Sequence, residues 1–198
     1  MHIVIIKYNA GNIESVKNAL ARLNITAKIT DDHDQIRNAD KVIFPGVGEA
    51  STTMEYLRNK GLDELIVSLK QPVLGICLGL QLMCSYSEEN NTECLGIFDE
   101  KVQRFAPKSG EEFITKVPHM GWNKIRNLKS RLFNELDNPY VYFVHSYYAA
   151  VGGHTIATCD YIGEFSAALH RDNFYATQFH PEKSGTIGAK ILENFIKL

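Results

Sequence analysis

The chain has 198 residues, 44% hydrophobic and 22% charged, enough apolar side chains for one α/β core and too little length for two full domains. Its 21 basic and 23 acidic residues leave a formal charge of −2, which excludes a charge-driven binder of nucleic acid or anionic membrane. Cys77, Cys84, Cys94 and Cys159 form no C-x-x-C pair and the histidines show no His-x-x-x-His spacing, so neither a disulfide framework nor a metal site is expected. The N-terminal run His2–Ile6 lacks a basic n-region and a cleavage site, and no apolar run approaches membrane length. A soluble, unexported protein of the reducing cytosol is expected.

In chain order, Ile3 to Ile6 is a candidate buried strand, and Asn12 can cap a helix whose apolar residues Ile13, Val16, Ala19, Leu20 and Leu23 recur at helical spacing. Ile25 to Thr30 and Lys41 to Phe44 read as strands, Ser51 to Asn59 and Leu62 to Lys70 as helices, Pro72 to Ile76 as a strand and Gly79 to Tyr86 as a helix. This β-α alternation predicts a mostly parallel sheet with helices on both faces. From Glu100 onward the pattern changes to strands at Lys101 to Phe105, Trp122 to Arg126, Tyr140 to Val144, Thr155 to Cys159, Ser166 to His170 and Phe174 to Phe179. Arg171-Asp172-Asn173 is turn chemistry suited to a hairpin, so an antiparallel extension of the parallel core is predicted. A helix from Thr186 to Lys197 closes the chain, and no linker divides residues 1–198 into more than one domain.

Three stretches carry chemistry. In Pro72–Gln81 an apolar strand runs into Gly75-Ile76-Cys77-Leu78-Gly79, the cysteine counterpart of the G-x-S-x-G nucleophile elbow, with a helical pattern directly after. Side chains two positions either side of the nucleophile would collide as strand turns into helix. The helix N-terminus favours a thiolate, and its first amides can hold an oxyanion. A thiol nucleophile needs a base and the base an orienting partner. Gln178-Phe179-His180-Pro181-Glu182 offers both, with Pro181 forcing the chain out of the sheet at His180. His2, His33, His154 and His170 read as structural or exposed, and Cys84, Cys94 and Cys159 as packing or surface thiols. The third stretch is Phe44-Pro45-Gly46-Val47-Gly48, directly after a strand, where sites form in open parallel sheets. It has no Lys-Ser/Thr pair for a phosphate loop, so an oxyanion or substrate-backbone role fits better, and its glycines let a peptide rotate.

Pro-Gly-Val-Gly, Gly-Ile-Cys-Leu-Gly-Leu-Gln and Gln-Phe-His-Pro-Glu, in this order over nearly the whole chain, resemble the class I (triad) glutamine amidotransferases. The resemblance implies Cys77 as nucleophile, His180 as general base and then acid, and Glu182 as the residue orienting it. It implies oxyanion amides at Leu78 and in the Val47-Gly48 segment, glutamine binding by Gly46, Gly48, Gln81, Glu89, Ser146 and Tyr147, and no cofactor. Pro118–Asn123 and Tyr142–Tyr148 further resemble members whose partner is a (βα)8-barrel cyclase. That partner takes channelled ammonia to make imidazole glycerol phosphate and an aminoimidazole carboxamide ribotide. Asn12, His119, Met120, Trp122 and Lys183 fall where its docking face is expected. The family's Asp-Tyr-Gly-x-Gly-Asn-like run is replaced here by Lys7-Tyr8-Asn9-Ala10-Gly11-Asn12, which alters that face and not the triad. A γ-glutamyl peptidase, a paralogue serving amidine-bearing surface-sugar synthesis and a non-catalytic scaffold are the alternative readings.

Overall fold

The structure, a computed structural model, describes residues 1–8, 12–107, 110 and 116–198, so Asn9 to Gly11 of the variant loop lie outside the described residues. The first half builds β1 (Ile3–Ile6), α1 (Ile13–Arg22), β2 (Ala27–Thr30), α2 (His33–Arg37), β3 (Lys41–Gly46), α3 (Ala50–Asn59), α4 (Leu62–Ser68), β4 (Val73–Cys77) and α5 (Leu78–Met83). The second half adds β5 (Tyr86–Ser87), β6 (Thr92–Glu93), β7 (Lys101–Arg104), β8 (His119–Arg126), β9 (Tyr140–His145), β10 (Tyr147–Ala149), β11 (Thr155–Asp160), β12 (Glu164–Arg171), β13 (Phe174–Thr177) and α6 (Gly185–Ile196).

Among the described residues a nine-stranded sheet runs β2-β1-β3-β4-β13-β12-β11-β8-β9. Its β2 to β13 half is parallel, and β12, β11, β8 and β9 extend it antiparallel. The parallel strands read as continuous apolar runs because both faces are covered. Ile3 and Ile5 enter one core with Val16, Leu20 and Phe195, while Val4 and Ile6 enter the other with Met54, Leu57 and Leu80. The expected turn at Arg171–Asn173 is present, with Asp172 at φ 53 between β12 and β13. No helix among the described residues is long and apolar enough to cross a membrane.

Several local expectations are corrected. Asn12 sits at the N-terminus of α1 in a left-handed conformation, φ 70, and its side chain makes no cap bond. The helix expected to reach Tyr86 stops at Met83, because Cys84 turns extended (ψ 176) and Tyr86–Ser87 joins a second sheet, β10-β7-β5-β6. The short α2, capped by the Asp32 side chain on Gln35 N–H, is an element the apolar periodicity did not reveal.

Candidate active site

The loops after β1, β3, β4 and β13 leave the sheet at the carboxyl ends of its parallel strands, where an open α/β sheet places its site. Cys77 ends β4 and starts the turn into α5 with φ 53 and ψ −105, outside the regions an L-residue prefers. Such strain persists only where the surroundings impose it, and it clusters at reactive centres. The turn is pressed directly onto β3. A Cβ on Gly79 would lie 2.0 Å from the Phe44 carbonyl oxygen, so no larger residue fits there.

Behind the sulfur, three residues past the end of β13 at Thr177, lies His180, which is fully buried. Its backbone is tied down by His180 N–H donating to the Tyr142 carbonyl at 2.9 Å and by the Ser184 hydroxyl donating to its own carbonyl at 2.7 Å. The imidazole Nδ1 lies 2.7 Å from Glu182 Oε1, and the Asn12 amide donates to the same oxygen. The end of α1 that Asn12 fails to cap is therefore linked to the carboxylate instead. Burial opposes charge on His180, but the neighbouring Cys77 sulfur and Glu182 carboxylate outweigh it and raise the imidazole above its ordinary range. Among the described residues His180 Nε2 has no other conventional hydrogen-bond partner, which leaves it free to take a proton from the sulfur.

In front of the sulfur lies a cleft of about 260 Å³, lined by Val47, Gly48, Cys77, Leu78, Gln81, Glu89, Val144, His145, Ser146 and Tyr147. Register places Gly46 beside Cys77 across β3 and β4, so the Val47-Gly48 turn begins next to the sulfur. Gly48 adopts φ +135, a conformation that demands glycine, although a Cβ there would meet nothing closer than Leu78 Cδ2 at 3.9 Å. Burial holds the half-buried Glu89 carboxyl above its usual value, while one of its oxygens accepts from Ala50 N–H at the start of α3, 2.8 Å away. Two expectations shift in placement. Gly46 does not line the cleft: a Cβ on it would come within 2.4 Å of the Tyr8 hydroxyl and 2.8 Å of Leu78 Cβ, so it packs under the turn at Cys77. His119 is not on an open face but 3% exposed, stacked on Tyr161 at 4.0 Å, because β8 turns odd-numbered residues inward with Ile125. Met120 and Trp122, on the other face, are 63% and 56% exposed, and Lys183 is exposed as well.

Three contributors escaped the sequence reading: Val144 and His145 in the cleft wall, and Tyr8, whose buried hydroxyl donates to the Pro45 carbonyl. Burial and the nearby Cys77 push the Tyr8 phenol far above its ordinary value, so it stays a neutral donor.

The profile of the family described as glutamine amidotransferase class-I matches residues 4–198. The chain belongs to the class I glutamine amidotransferases. Among its relatives, "Imidazole glycerol phosphate synthase subunit HisH" of Bacteroides fragilis is 61% identical over 199 residues, with both chains covered in full. The protein of the same name from Escherichia coli K12 is 45% identical over 201 residues, again covering both chains in full. A solved glutamine amidotransferase from Thermotoga maritima superposes with a TM-score of 0.62 at 19% identity, covering all of this chain and 83% of that one. Another solved glutamine amidotransferase gives a TM-score of 0.74 at 18% identity, with 98% and 97% covered. At that identity the two structures speak for the fold, which is the α/β architecture with a large mixed sheet expected of this class I amidotransferase.

Proposed function

We propose that this class I amidotransferase is the glutaminase subunit of imidazole glycerol phosphate synthase. It hydrolyses glutamine to glutamate and delivers the ammonia to a (βα)8-barrel cyclase in the cytoplasm, for histidine biosynthesis. The observation that carries the reading is the strained Cys77 at the mouth of a glutamine-sized cleft, with the His180–Glu182 pair buried behind it. Full-length identity of 61% to a HisH protein supports this assignment over surface-sugar paralogues.

In this reading His180 Nε2 takes the Cys77 proton as Sγ attacks the glutamine carboxamide carbon. The carbonyl oxygen becomes an oxyanion held by backbone N–H groups of Leu78 and the Val47-Gly48 turn. The tetrahedral adduct collapses, His180 protonates the departing nitrogen, and ammonia leaves. Water, deprotonated by the same imidazole, then attacks the thioester, releases glutamate and restores the thiol. Glu182 keeps the His180 ring oriented and offsets its charge at each transfer. Gly48, Gln81, Glu89, Ser146 and Tyr147 hold the amino-acid end of glutamine. Asn12, Met120, Trp122 and Lys183 contribute to the cyclase face, with His119 supporting it from beneath.

The test is treatment with a diazoketone analogue of glutamine, followed by peptide mass spectrometry. Selective modification of Cys77 that excess glutamine suppresses is the expected result. Labelling spread over several cysteines, or indifferent to glutamine, would overturn the reading.

A further inference from the structure

Gln178 is completely buried one residue before Phe179 and two before His180, and the mechanism above gives it no task. Its Nε2 lies 3.7 Å from Cys77 Sγ and its Oε1 accepts from Gln81 Nε2 at 3.1 Å. The orientation of this amide is fixed by its neighbours. Gln81 Nε2 also donates to the Tyr147 carbonyl at 2.8 Å, and a carbonyl can only accept, so the nitrogen end of Gln81 faces Gln178. The oxygen of Gln178 must therefore face Gln81 and its N–H must face the sulfur.

The same direction runs further back. His145 Nδ1 lies 2.7 Å from that Tyr147 carbonyl and must donate to it, which makes His145 Nε2 the acceptor for His119 Nδ1 at 3.1 Å. His119 Nε2 in turn faces the Asn123 amide at 3.4 Å. Burial depresses both imidazoles, so they remain neutral and hold these tautomers at neutral pH.

We propose that Gln178 is a catalytic residue of the glutaminase site: its side-chain N–H, aimed by Gln81 and the Tyr147 carbonyl, donates to the Cys77 sulfur and stabilises it as a thiolate. When the Sγ proton passes to His180 Nε2, the sulfur turns from a thiol whose hydrogen can point to the Val144 carbonyl, 3.9 Å away, into an anion. A donor already in place then gains strength without reorganisation. The other ionisable groups coupled to the sulfur are the His180 imidazole, backed by Glu182, and the neutral Tyr8 hydroxyl, so Gln178 supplies an uncharged donor that the pH does not remove. The inference rests on Cys77 being the nucleophile, which glutamine turnover and analogue labelling test separately.

The experiment measures the rate of Cys77 alkylation by iodoacetamide at pH 7 in the full chain, read by peptide mass spectrometry. Burial pushes the thiols of Cys94 and Cys159 up to about 12 and that of Cys84 well above its ordinary value, so these three react slowly. Gln178→Met keeps the volume and removes the donor, and the alkylation rate is expected to fall about tenfold, equivalent to about 1.4 kcal/mol. Gln81→Met leaves Gln178 in place but frees its amide to turn, and a fall of roughly two- to fivefold is expected. Alkylation of a folded Gln178→Met chain within twofold of wild type would overturn the proposal. If that variant does not fold, an unchanged rate in Gln81→Met overturns it, and a slowed rate supports it.

Discussion

Replacing Cys77 by glycine and, separately, by alanine isolates the strain stored at the turn between β4 and α5. Both variants lose the sulfur and its interactions with His180 and Gln178, so they differ only in whether a Cβ must occupy φ 53, ψ −105. At an ordinary position inside an element glycine is worse than alanine by about 0.5–1 kcal/mol. Here the alanine Cβ keeps the strain, about 1–3 kcal/mol for a residue held in such a region, and glycine releases it. The difference therefore reverses sign, favouring glycine by about 1 kcal/mol. For a chain of 198 residues this raises the melting temperature of Cys77→Gly over Cys77→Ala by roughly 2–4 °C. Differential scanning calorimetry of the two variants side by side reads the sign directly. An alanine variant that melts at or above the glycine variant would show that the turn stores no strain, and that the reactive conformation is not imposed on Cys77 by the fold.

Other consequences follow from the cleft wall and its backing. Glutaminase activity of the isolated chain is expected to be very low, rising steeply when cyclase and acceptor ligand bind and bring the Val47-Gly48 amide to the oxyanion. Gly48→Ala, strained by φ +135 although the space is open, should blunt that rise by about ten- to a hundredfold while leaving cyclase affinity within about twofold, measured by calorimetry; full activation in this variant would remove the rotating peptide from the account. The histidine pair makes a pH signature. His145 is depressed to about 3 and His119 to about 4, chiefly by burial, so the folded chain carries both neutral while the unfolded chain protonates them below about pH 6.5. Their contribution to stability is complete above that pH and is lost as the pH falls toward 4, at up to about 1.4 kcal/mol per pH unit for each. His119→Gln should make the decline in urea midpoint between pH 6.5 and 4.5 shallower, and an unaltered slope would contradict the neutral assignment.

The strand-to-helix turn at Cys77 was legible because its determinants are local: glycine two residues before and after a cysteine, an apolar strand ahead and a helical pattern behind. His180 was legible from the short motif around it, although β13 ends at Thr177, two residues short of the expected strand end at Phe179, so the chain has left the sheet before Pro181. The second sheet was not legible, because β5 and β6 are two residues each and β10 three, too short for any periodicity to register. His119 was placed on the wrong face although a signal existed, for it shares parity with the buried Ile125 while Met120 and Trp122 share the opposite one. Gln178 gave no signal, since the direction of its amide depends on Gln81 and Tyr147, one nearly a hundred residues away and both met only in the folded chain. Asn12 resembled a helix cap, and only tertiary structure shows its side chain committed to Glu182.

Glutamine and ammonia can be compared as nitrogen sources for the complex of this chain with a cyclase, using wild type and Cys77→Ala. Loss of the nucleophile typically costs about 10⁴–10⁶ in turnover, so glutamine-dependent formation of imidazole glycerol phosphate should fall below detection in Cys77→Ala. Synthesis from ammonium salt should stay within about twofold, because only ammonia release uses the thiol. Equal loss from both nitrogen sources, or retained glutamine-dependent synthesis, would contradict the assignment of Cys77 as the glutaminase nucleophile.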